Sequence, residues 1–125
     1  MIAYKVVTMT HDPKVFKPWC TFGPCFETLK YSVGLMTKPE SGCGPMVAFP
    51  DYYDALHMYH RMPVNGHDTP MAIIKCDCRL SDNKSQWGPD GFIPPYTQLI
   101  PKVVYCDSIY VIERMPVGAI ESYEG

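Results

Sequence analysis

Proline is the residue type that most constrains how this chain can fold. The sequence contains 13 prolines among 125 residues, about twice the usual share of roughly 5%. Most of them stand between apolar segments, where proline is typical of turns and loops because it fixes φ and lacks a backbone donor. The distribution therefore predicts a loop-rich fold that is built from short strands.

Length and composition indicate a single globular domain that spans residues 1–125. Hydrophobic residues make up 46% of the sequence and charged residues 19%, which is typical of a chain with one packed core. No apolar run approaches the roughly 20 residues that are needed to cross a bilayer. The first residues, Met1 to Lys5, lack the pattern of a secretory signal, so we expect a soluble cytoplasmic protein without a membrane partner.

The charge of the chain argues against nucleic acid as a partner. The formal net charge is −2, and the lysines and arginines are scattered along the sequence rather than gathered in a basic stripe. Sequence-independent nucleic-acid binding depends on clustered cations that neutralise phosphates. We therefore expect a protein or a small molecule as the partner.

Alternation of apolar and polar residues predicts the strands. We expect the odd-numbered residues of the segment 29–35 and the even-numbered residues of the segment 71–80 to face the core. Leu35 and Leu80 are among these residues. The predicted strands are residues 2–9, 29–35, 46–49, 71–80, 102–106 and 109–113, with a bend at 107–108. Residues 10–28 are interpreted as an irregular connection and 36–44 as a turn. We expect the tail from Met115 to be mobile.

One helix is predicted at residues 51–61. Asp51 suits the N-cap position, and Pro63 ends the helix. An apolar stripe at helical spacing consists of Tyr52, Ala55, Leu56 and Tyr59. Because strands dominate and no βαβ alternation is present, the sequence predicts an α+β fold. It would be a mainly antiparallel, twisted sheet of about five or six short strands with one short helix and a long ordered loop.

The six cysteines have two interpretations. Cys76 and Cys78 lie on the predicted buried face of a strand, where cysteine behaves as a small core residue. Alternatively, Cys20 and Cys25 could join them in a structural zinc site, although Cys76-x-Cys78 is tighter than the usual ligand spacing. The core interpretation is the prediction, with no metal and no cofactor.

Histidines on the helix offer a second possible metal site. His57 and His60 are three residues apart, so both side chains could face one point. His67 or Asp68, just beyond the helix, could supply a third ligand. The alternative is that both helical histidines are solvated opposite the packed stripe. Tyr53, one turn before His57, shares its side of the helix.

A long loop at residues 81–101 is rich in proline and aromatic residues. It contains Trp87, Phe92 and Tyr96, and rigid aromatic side chains suit contact with a partner or a ligand. The alternative is that the loop folds over the sheet and its aromatic side chains complete the core.

Short motifs across residues 29–80 resemble small uncharacterised proteins that are encoded by phages and bacteria. These motifs are Leu29-Lys30-Tyr31-Ser32-Val33-Gly34, Cys43-Gly44-Pro45-Met46-Val47-Ala48-Phe49-Pro50, Asp54-Ala55-Leu56 and Ile73-Ile74-Lys75-Cys76-Asp77-Cys78. The resemblance implies an origin in a phage or another mobile element, without implying an activity.

The order of strand, short helix and strand is also similar to the core half of ADP-ribosyltransferase-like folds. That family places an Arg or His on its first strand and a Glu late in the chain. Here the first strand carries Lys5 instead, Gln98 stands near the late position, and Glu113 falls at a strand end. The resemblance implies an enzyme that lacks the usual catalytic residues and has a pocket near Lys5, Tyr31, Tyr53 and His57.

The leading functional prediction is a non-enzymatic binding protein, phage-encoded, that engages a host protein or a small ligand and could act in counter-defence. The alternatives are an enzyme with the transferase-like fold and a small zinc-stabilised module. The candidate ligand-binding residues are Lys5, Tyr31, Tyr53, His57, Trp87, Phe92 and Tyr96.

Overall fold

The computed structural model describes residues 1–18, 29–39, 45–61, 70–82 and 103–117. In chain order the elements are β1 (Ile2–Met9), β2 (Val15–Pro18), β3 (Tyr31–Ser32), β4 (Met36–Thr37), β5 (Met46–Ala48), α1 (Tyr52–Arg61), β6 (Met71–Leu80) and β7 (Val104–Met115). All strand pairings within these segments are antiparallel. The predicted antiparallel sheet with one helix is therefore confirmed for the described residues.

The strands form one sheet whose two end strands are joined by a short turn. The order is β3-β2-β1-β6-β7-β4. At one end β3 pairs with β2, and at the other end β4 pairs with β7. Only the turn at residues 33–35 separates β3 from β4. The sheet is therefore barrel-like, which the alternation patterns did not predict.

A second closure lies between β5 and β1. One side of β5 pairs with β7, with Val47 opposite Tyr105. On the other side, Phe49 forms an isolated bridge to Tyr4 of β1, with two backbone hydrogen bonds of 2.7 Å. From Val7 onward β1 pairs with β2 instead. We call this one-bridge contact between Tyr4 and Phe49 the seam.

Buried side chains form two clusters on opposite faces of β1 and β6. The interior core, inside the barrel-like sheet, contains Ala3, Val7, Phe16, Tyr31, Met46, Ala48, Ala72, Ile74, Cys76, Cys78, Cys106, Ile109 and Val111. The helix-side core, between the sheet and α1, contains Val6, Phe49, Ala55, Leu56, Met58 and Ile73. Successive residues of a strand point to opposite faces, which is why Ile73 and Ile74 enter different cores.

The helix forms where it was predicted and uses the predicted cap. The Asp51 carboxylate accepts a hydrogen bond from the Tyr53 amide at 2.9 Å, which satisfies one of the amides that a helix start leaves unpaired. Ala55 and Leu56 of the predicted stripe are buried, and so is Met58, which the stripe omitted. Pro63, the predicted stop, lies outside the described residues.

The segment 29–37 differs from the single strand that was predicted. Tyr31 is buried as expected, but the chain then turns at residues 33–35, and β4 follows where a turn was expected. Gly34 has a φ of 83°, a conformation that glycine adopts without steric cost. Leu35 is 62% exposed, because strand alternation does not continue through a turn.

Two other predicted boundaries were wrong. β2 forms within residues 10–28, which were interpreted as an irregular connection. β7 is one strand of 12 residues, where two strands with a bend were expected. The register in which β6 pairs with β7 shifts between Arg79 and Leu80. Leu80 is 53% exposed because the alternation of β6 breaks at this shift.

The beginning of the tail is anchored rather than free. Met115 and Val117 pack against the helix-side core. The Tyr52 hydroxyl donates a hydrogen bond to the Pro116 carbonyl oxygen at 2.6 Å. Residues 118–125 lie outside the described residues. Among the described helices, none has the length and apolar character to span a membrane.

Candidate functional site

Lys5 lies inside the barrel-like sheet among apolar residues. Its neighbours on the same face of β1, Ala3 and Val7, are fully buried, and its partner across β6 is Ile74. Lys5 itself is 9% exposed. An amine in this position needs a hydrogen-bond acceptor, because an unpaired polar group is unfavourable in an apolar environment.

The Lys5 amine contacts a carbonyl group and an aromatic ring. Its Nζ donates a hydrogen bond to the Val47 carbonyl oxygen at 2.6 Å and lies 5.5 Å from the ring centroid of Tyr31. Val47 stands two residues before Phe49, whose single bridge to Tyr4 of β1 forms the seam. The side chain of Lys5 therefore supplies a donor beside the point where strand pairing ends.

The surroundings of Lys5 disfavour its charged form. Among the described residues, no carboxylate is buried. Burial lowers the pKa of the Lys5 amine from its ordinary value, while the thiols of Cys106, Cys76 and Cys78 oppose this shift. Transfer of a cation out of water is unfavourable unless an anion pairs with it. Lys5 is therefore held toward its neutral, nucleophilic form.

Three free thiols belong to the same interior core. Cys76 and Cys78 share one face of β6, and their sulfur atoms are 3.6 Å apart. The Cys76 thiol donates to the Ala3 carbonyl oxygen at 3.3 Å, and Cys106 is hydrogen-bonded to Cys78. The interpretation of Cys76 and Cys78 as buried core residues is confirmed.

The thiols of Cys78 and Cys106 are held in their protonated form. The hydrogen bond with Cys106 lowers the pKa of Cys78, but hydrogen bonding to Cys76 and burial raise it, and the resulting pKa is about 12. Hydrogen bonding to Cys78 and burial raise the pKa of Cys106 above its ordinary value. Because the thiolate is the nucleophile and the metal ligand, these raised pKa values disfavour both roles for Cys78 and Cys106.

Both metal sites that the sequence suggested depend on residues outside the described segments. Those residues are Cys20, Cys25, His67 and Asp68. Within the described segments, no group of three or more His, Cys, Asp or Glu side chains could hold a metal ion.

Tyr53 and His57 lie on the other side of β1 from Lys5 and Tyr31. The helix α1 packs on the helix-side core, whereas the Lys5 side chain enters the interior core. Tyr53 is 50% exposed, and its ring meets that of Tyr52 edge to face with centroids 5.6 Å apart. The structure thus brings Lys5 and Tyr31 together and leaves Tyr53 and His57 one turn apart on the helix.

Five further residues that the sequence singled out are either outside the described residues or exposed on a strand. Trp87, Phe92, Tyr96 and Gln98 lie outside the described residues. Glu113 is exposed on β7, opposite Lys75 of β6.

An exposed apolar surface on the outside of the sheet was missed by the sequence patterns. We call it the outer strip and define it as Ile2, Leu35, Met36 and Tyr110, which are 44%, 62%, 58% and 41% exposed. Ile2 and Tyr110 are both register partners of Asp77, and Met36 is the partner of Tyr110. Register partners in antiparallel strands point to the same side of the sheet. Ile2, Asp77, Tyr110 and Met36 therefore form one row, in which Asp77 separates Ile2 from Tyr110, and Leu35 directly precedes Met36 in the chain.

The row that contains the outer strip crosses four strands. Three strand spacings of about 4.8 Å give the row a length of roughly 14 Å. Within this row, the Asp77 carboxylate accepts a hydrogen bond from the Met1 nitrogen at 2.9 Å. Single exposed apolar residues are ordinary, but contiguous apolar surface is typical of interaction sites. Only the strand register could have revealed this surface, because its members are far apart in sequence.

Comparison of the chain with protein-family models, with curated proteins and with solved structures found no match. The basis for function is therefore the chemistry of two places in the fold. One is the interior amine of Lys5, and the other is the outer strip.

Proposed function

We propose that this chain is a binding protein that engages a partner protein through the outer strip. The observation that carries the proposal is the set of exposed apolar side chains on β1, β7 and β4, in a row whose β6 position is Asp77. Covering apolar surface is favourable by about 25 cal/mol per Å². A partner that covers these side chains therefore gains free energy on binding.

The shape of this surface favours a protein over a small molecule. The outer strip lies on the outside of a barrel-like sheet, so the surface curves away from it. Small ligands need a concave site that covers most of their own surface. A protein partner can distribute its contacts over a convex surface, as interfaces of standard size do.

Tyr110 is the expected anchor of the interface. It lies between Asp77 and Met36 in the row, and its ring offers rigid apolar area with a hydroxyl group for hydrogen bonding. Tyrosine is enriched among the residues that dominate binding energy. The flexible thioether of Met36 can adapt to the shape of a partner.

The setting that we propose is the cytoplasm of a bacterial host. Motifs in residues 29–80 resemble small proteins that phages and bacteria encode, and a phage-encoded chain meets host proteins in that compartment. The expected partner is therefore a host protein, and interference with a host defence is the expected consequence.

A capture experiment with matched variants tests the proposal. The immobilised chain is exposed to bacterial lysate as wild type, as the double variant Met36→Glu/Tyr110→Glu and as Tyr53→Glu. Tyr53 is the control because it is a tyrosine of similar exposure, 50% against 41%, on α1 instead of the strip. We expect one partner that wild type and Tyr53→Glu retain equally and that the double variant retains about tenfold less, because its carboxylates would be desolvated at the interface.

Binding of the purified partner then measures the role of the anchor. Tyr110→Ser should weaken binding by about 2 kcal/mol, as expected for a central interface tyrosine. A partner that the double variant retains as well as wild type does would contradict the proposal. A dimer of wild type that the double variant abolishes in sedimentation would assign the strip to a second copy of the chain and contradict it as well. Equal unfolding midpoints serve as the control for folding.

A further inference from the structure

The lysines and arginines are scattered along the sequence, but the strand register brings some of them together beside the outer strip. Arg79 of β6 is the register partner of Ser108 in β7. β4 pairs with β7 as far as Thr37 and Ile109. One further step along both strands brings Lys38 beside Ser108. Arg79 and Lys38 therefore lie in one row that crosses β6, β7 and the end of β4.

This row is parallel to the row that contains the outer strip. Arg79 follows Asp77 by two residues, and Lys38 follows Met36 by two residues, with the buried Thr37 between them. Residues two apart in an extended strand point to the same face. A rise of about 3.4 Å per residue separates the two rows by roughly 7 Å. Because both cationic side chains are exposed, they form one border of the outer strip.

Two more lysines extend this border around the sheet. Phe16 and Tyr31 are register partners whose side chains are buried in the interior core. The adjoining residues, Lys17 of β2 and Lys30 before β3, therefore face outward and lie opposite each other. The Thr37 hydroxyl donates a hydrogen bond to the Lys30 carbonyl oxygen at 2.6 Å, which joins this pair of lysines to β4. We call the four cations the cationic flank and define it as Arg79, Lys38, Lys30 and Lys17.

The positive charge of the cationic flank is unbalanced. Within the described segments, none of its side chains forms an ion pair. Like charges opposite each other on neighbouring strands are destabilising, so the pair of Lys17 and Lys30 is unfavourable for the fold itself. Asp107 of β7 is an exposed carboxylate at this level and offsets at most one of the four positive charges. On the other side of the outer strip, Lys75 is the register partner of Glu113, so that border carries both signs.

We propose that the partner of the outer strip is an acidic protein whose carboxylates contact the cationic flank while its apolar side chains cover the strip. This inference rests on the proposed role of the outer strip and adds the charge and the orientation of the partner. Complementary charges speed the encounter of two proteins and fix their register. Because only one border is cationic, the acidic side of the partner lies toward Arg79 and Lys38.

An acidic protein fits this surface better than a nucleic acid does. Proteins that bind single strands stack successive bases on aromatic side chains beside a cationic groove. The outer strip contains one aromatic side chain, that of Tyr110, and its other members are aliphatic or thioether side chains. A protein presents carboxylates and apolar groups side by side, which matches the cations and the apolar side chains of this surface.

Two synthetic peptides test the proposal by fluorescence anisotropy with the folded wild-type chain. Each is a labelled helical peptide of about 15 residues with a leucine and tryptophan stripe, bordered on one side by glutamates in the first peptide and by lysines in the second. The net charge of −2 would by itself favour the lysine peptide. At about 50 mM salt we expect the glutamate peptide to bind at least about fivefold more tightly, and at about 1 M salt the ratio should approach one. Equal affinities at low salt, or no binding of either peptide, would overturn the proposal.

Two double variants with the same change in charge locate the effect. Lys38→Glu/Arg79→Glu reverses the cationic flank, whereas Lys75→Glu/Arg114→Glu reverses one lysine and one arginine on the other side of the strip. We expect the first variant to bind the glutamate peptide at least about tenfold less tightly and the second to change its affinity by less than about threefold. Equal weakening by both would mean that net charge alone acts and would contradict the proposal. Equal unfolding midpoints in urea are the control for folding.

Tyr110→Ser separates this proposal from the role of the strip, because it changes no charge. It should weaken both peptides by a similar factor and keep the ratio of their affinities. Unchanged affinity for both peptides would remove the strip from the contact and overturn both proposals. A ratio near one together with weaker binding by Tyr110→Ser would leave the strip in place and remove the acidic partner. Tighter binding of an oligothymidylate of about 15 nucleotides than of the glutamate peptide would assign the flank to nucleic acid and also overturn the inference.

Discussion

The two cores of this molecule share strands but bury their polar groups differently. The interior core is enclosed by strands and contains the amine of Lys5 together with three thiols. The helix-side core is covered by a single helix, and its polar contact lies at the rim, where the Tyr52 hydroxyl reaches Pro116. Burial therefore shifts the pKa of the polar group in both cores, downward for the Lys5 amine and upward for the Tyr52 hydroxyl.

Truncation of one aliphatic side chain to alanine in each core should give the largest difference in the free energy of unfolding. Ile74→Ala removes a fully buried side chain from the interior core, and Leu56→Ala removes one that α1 presents to the sheet. The enclosed interior cannot close around a cavity, whereas the helix can shift, so we expect losses of about 4–5 and about 2–3 kcal/mol, respectively. Urea denaturation measures both, and equal losses would remove the distinction between the cores.

Lys5→Met tests the polar site of the interior. Because burial lowers the folded-state pKa of Lys5, the unfolded chain binds a proton first as pH falls below about 10.4. Wild type should therefore lose stability relative to the variant as pH falls, by at most about 1.4 kcal/mol per pH unit, until the folded-state pKa is reached. Denaturation from pH 10.5 to pH 7 measures the trend, with Lys14→Met as the control. A pH-independent difference would mean that Lys5 is protonated in the fold.

Tyr52→Phe should give the smallest effect, at the rim of the helix-side core. It removes the 2.6 Å hydrogen bond to Pro116, which is worth about 1 kcal/mol or less at an exposed position. Burial raises the pKa of Tyr52, with smaller contributions from Tyr53 and Tyr4. Wild type should therefore keep its advantage below pH 10 and lose it as pH rises through the folded-state pKa. Thermal unfolding at several pH values checks this against Tyr110→Phe, which should leave stability unchanged.

The sequence patterns predicted those elements that depend only on residues close together in the chain. The alternation in β1 and β6 and the cap at Asp51 depend on neighbouring residues, and the structure has all three. The barrel-like closure depends on strands of two residues at Tyr31–Ser32 and Met36–Thr37. Such strands are too short to show a period, so their pairing could not be predicted from the sequence.

The candidate site was predicted in part for the same reason. Lys5 and Tyr31 were selected correctly as neighbours, but Tyr53 and His57 belong to a helix on the other face. Val6 packs toward that helix, and strand alternation sends Lys5 the opposite way, so this separation was accessible to sequence reasoning. The outer strip was not, because it depends on the register of β1, β6, β7 and β4.

The pairing order of the sheet also has a consequence for synthesis. β1 leaves the ribosome first, yet its long partner β6 begins only at Met71, and β6 needs β7 in turn. Contacts between residues so distant along a chain slow folding, and an apolar strand that waits for its partner is prone to aggregate. The nascent chain therefore carries residues 2–6 of β1 without their β6 partners until β6 has been synthesised, which makes this segment a substrate for chaperones that bind extended apolar segments.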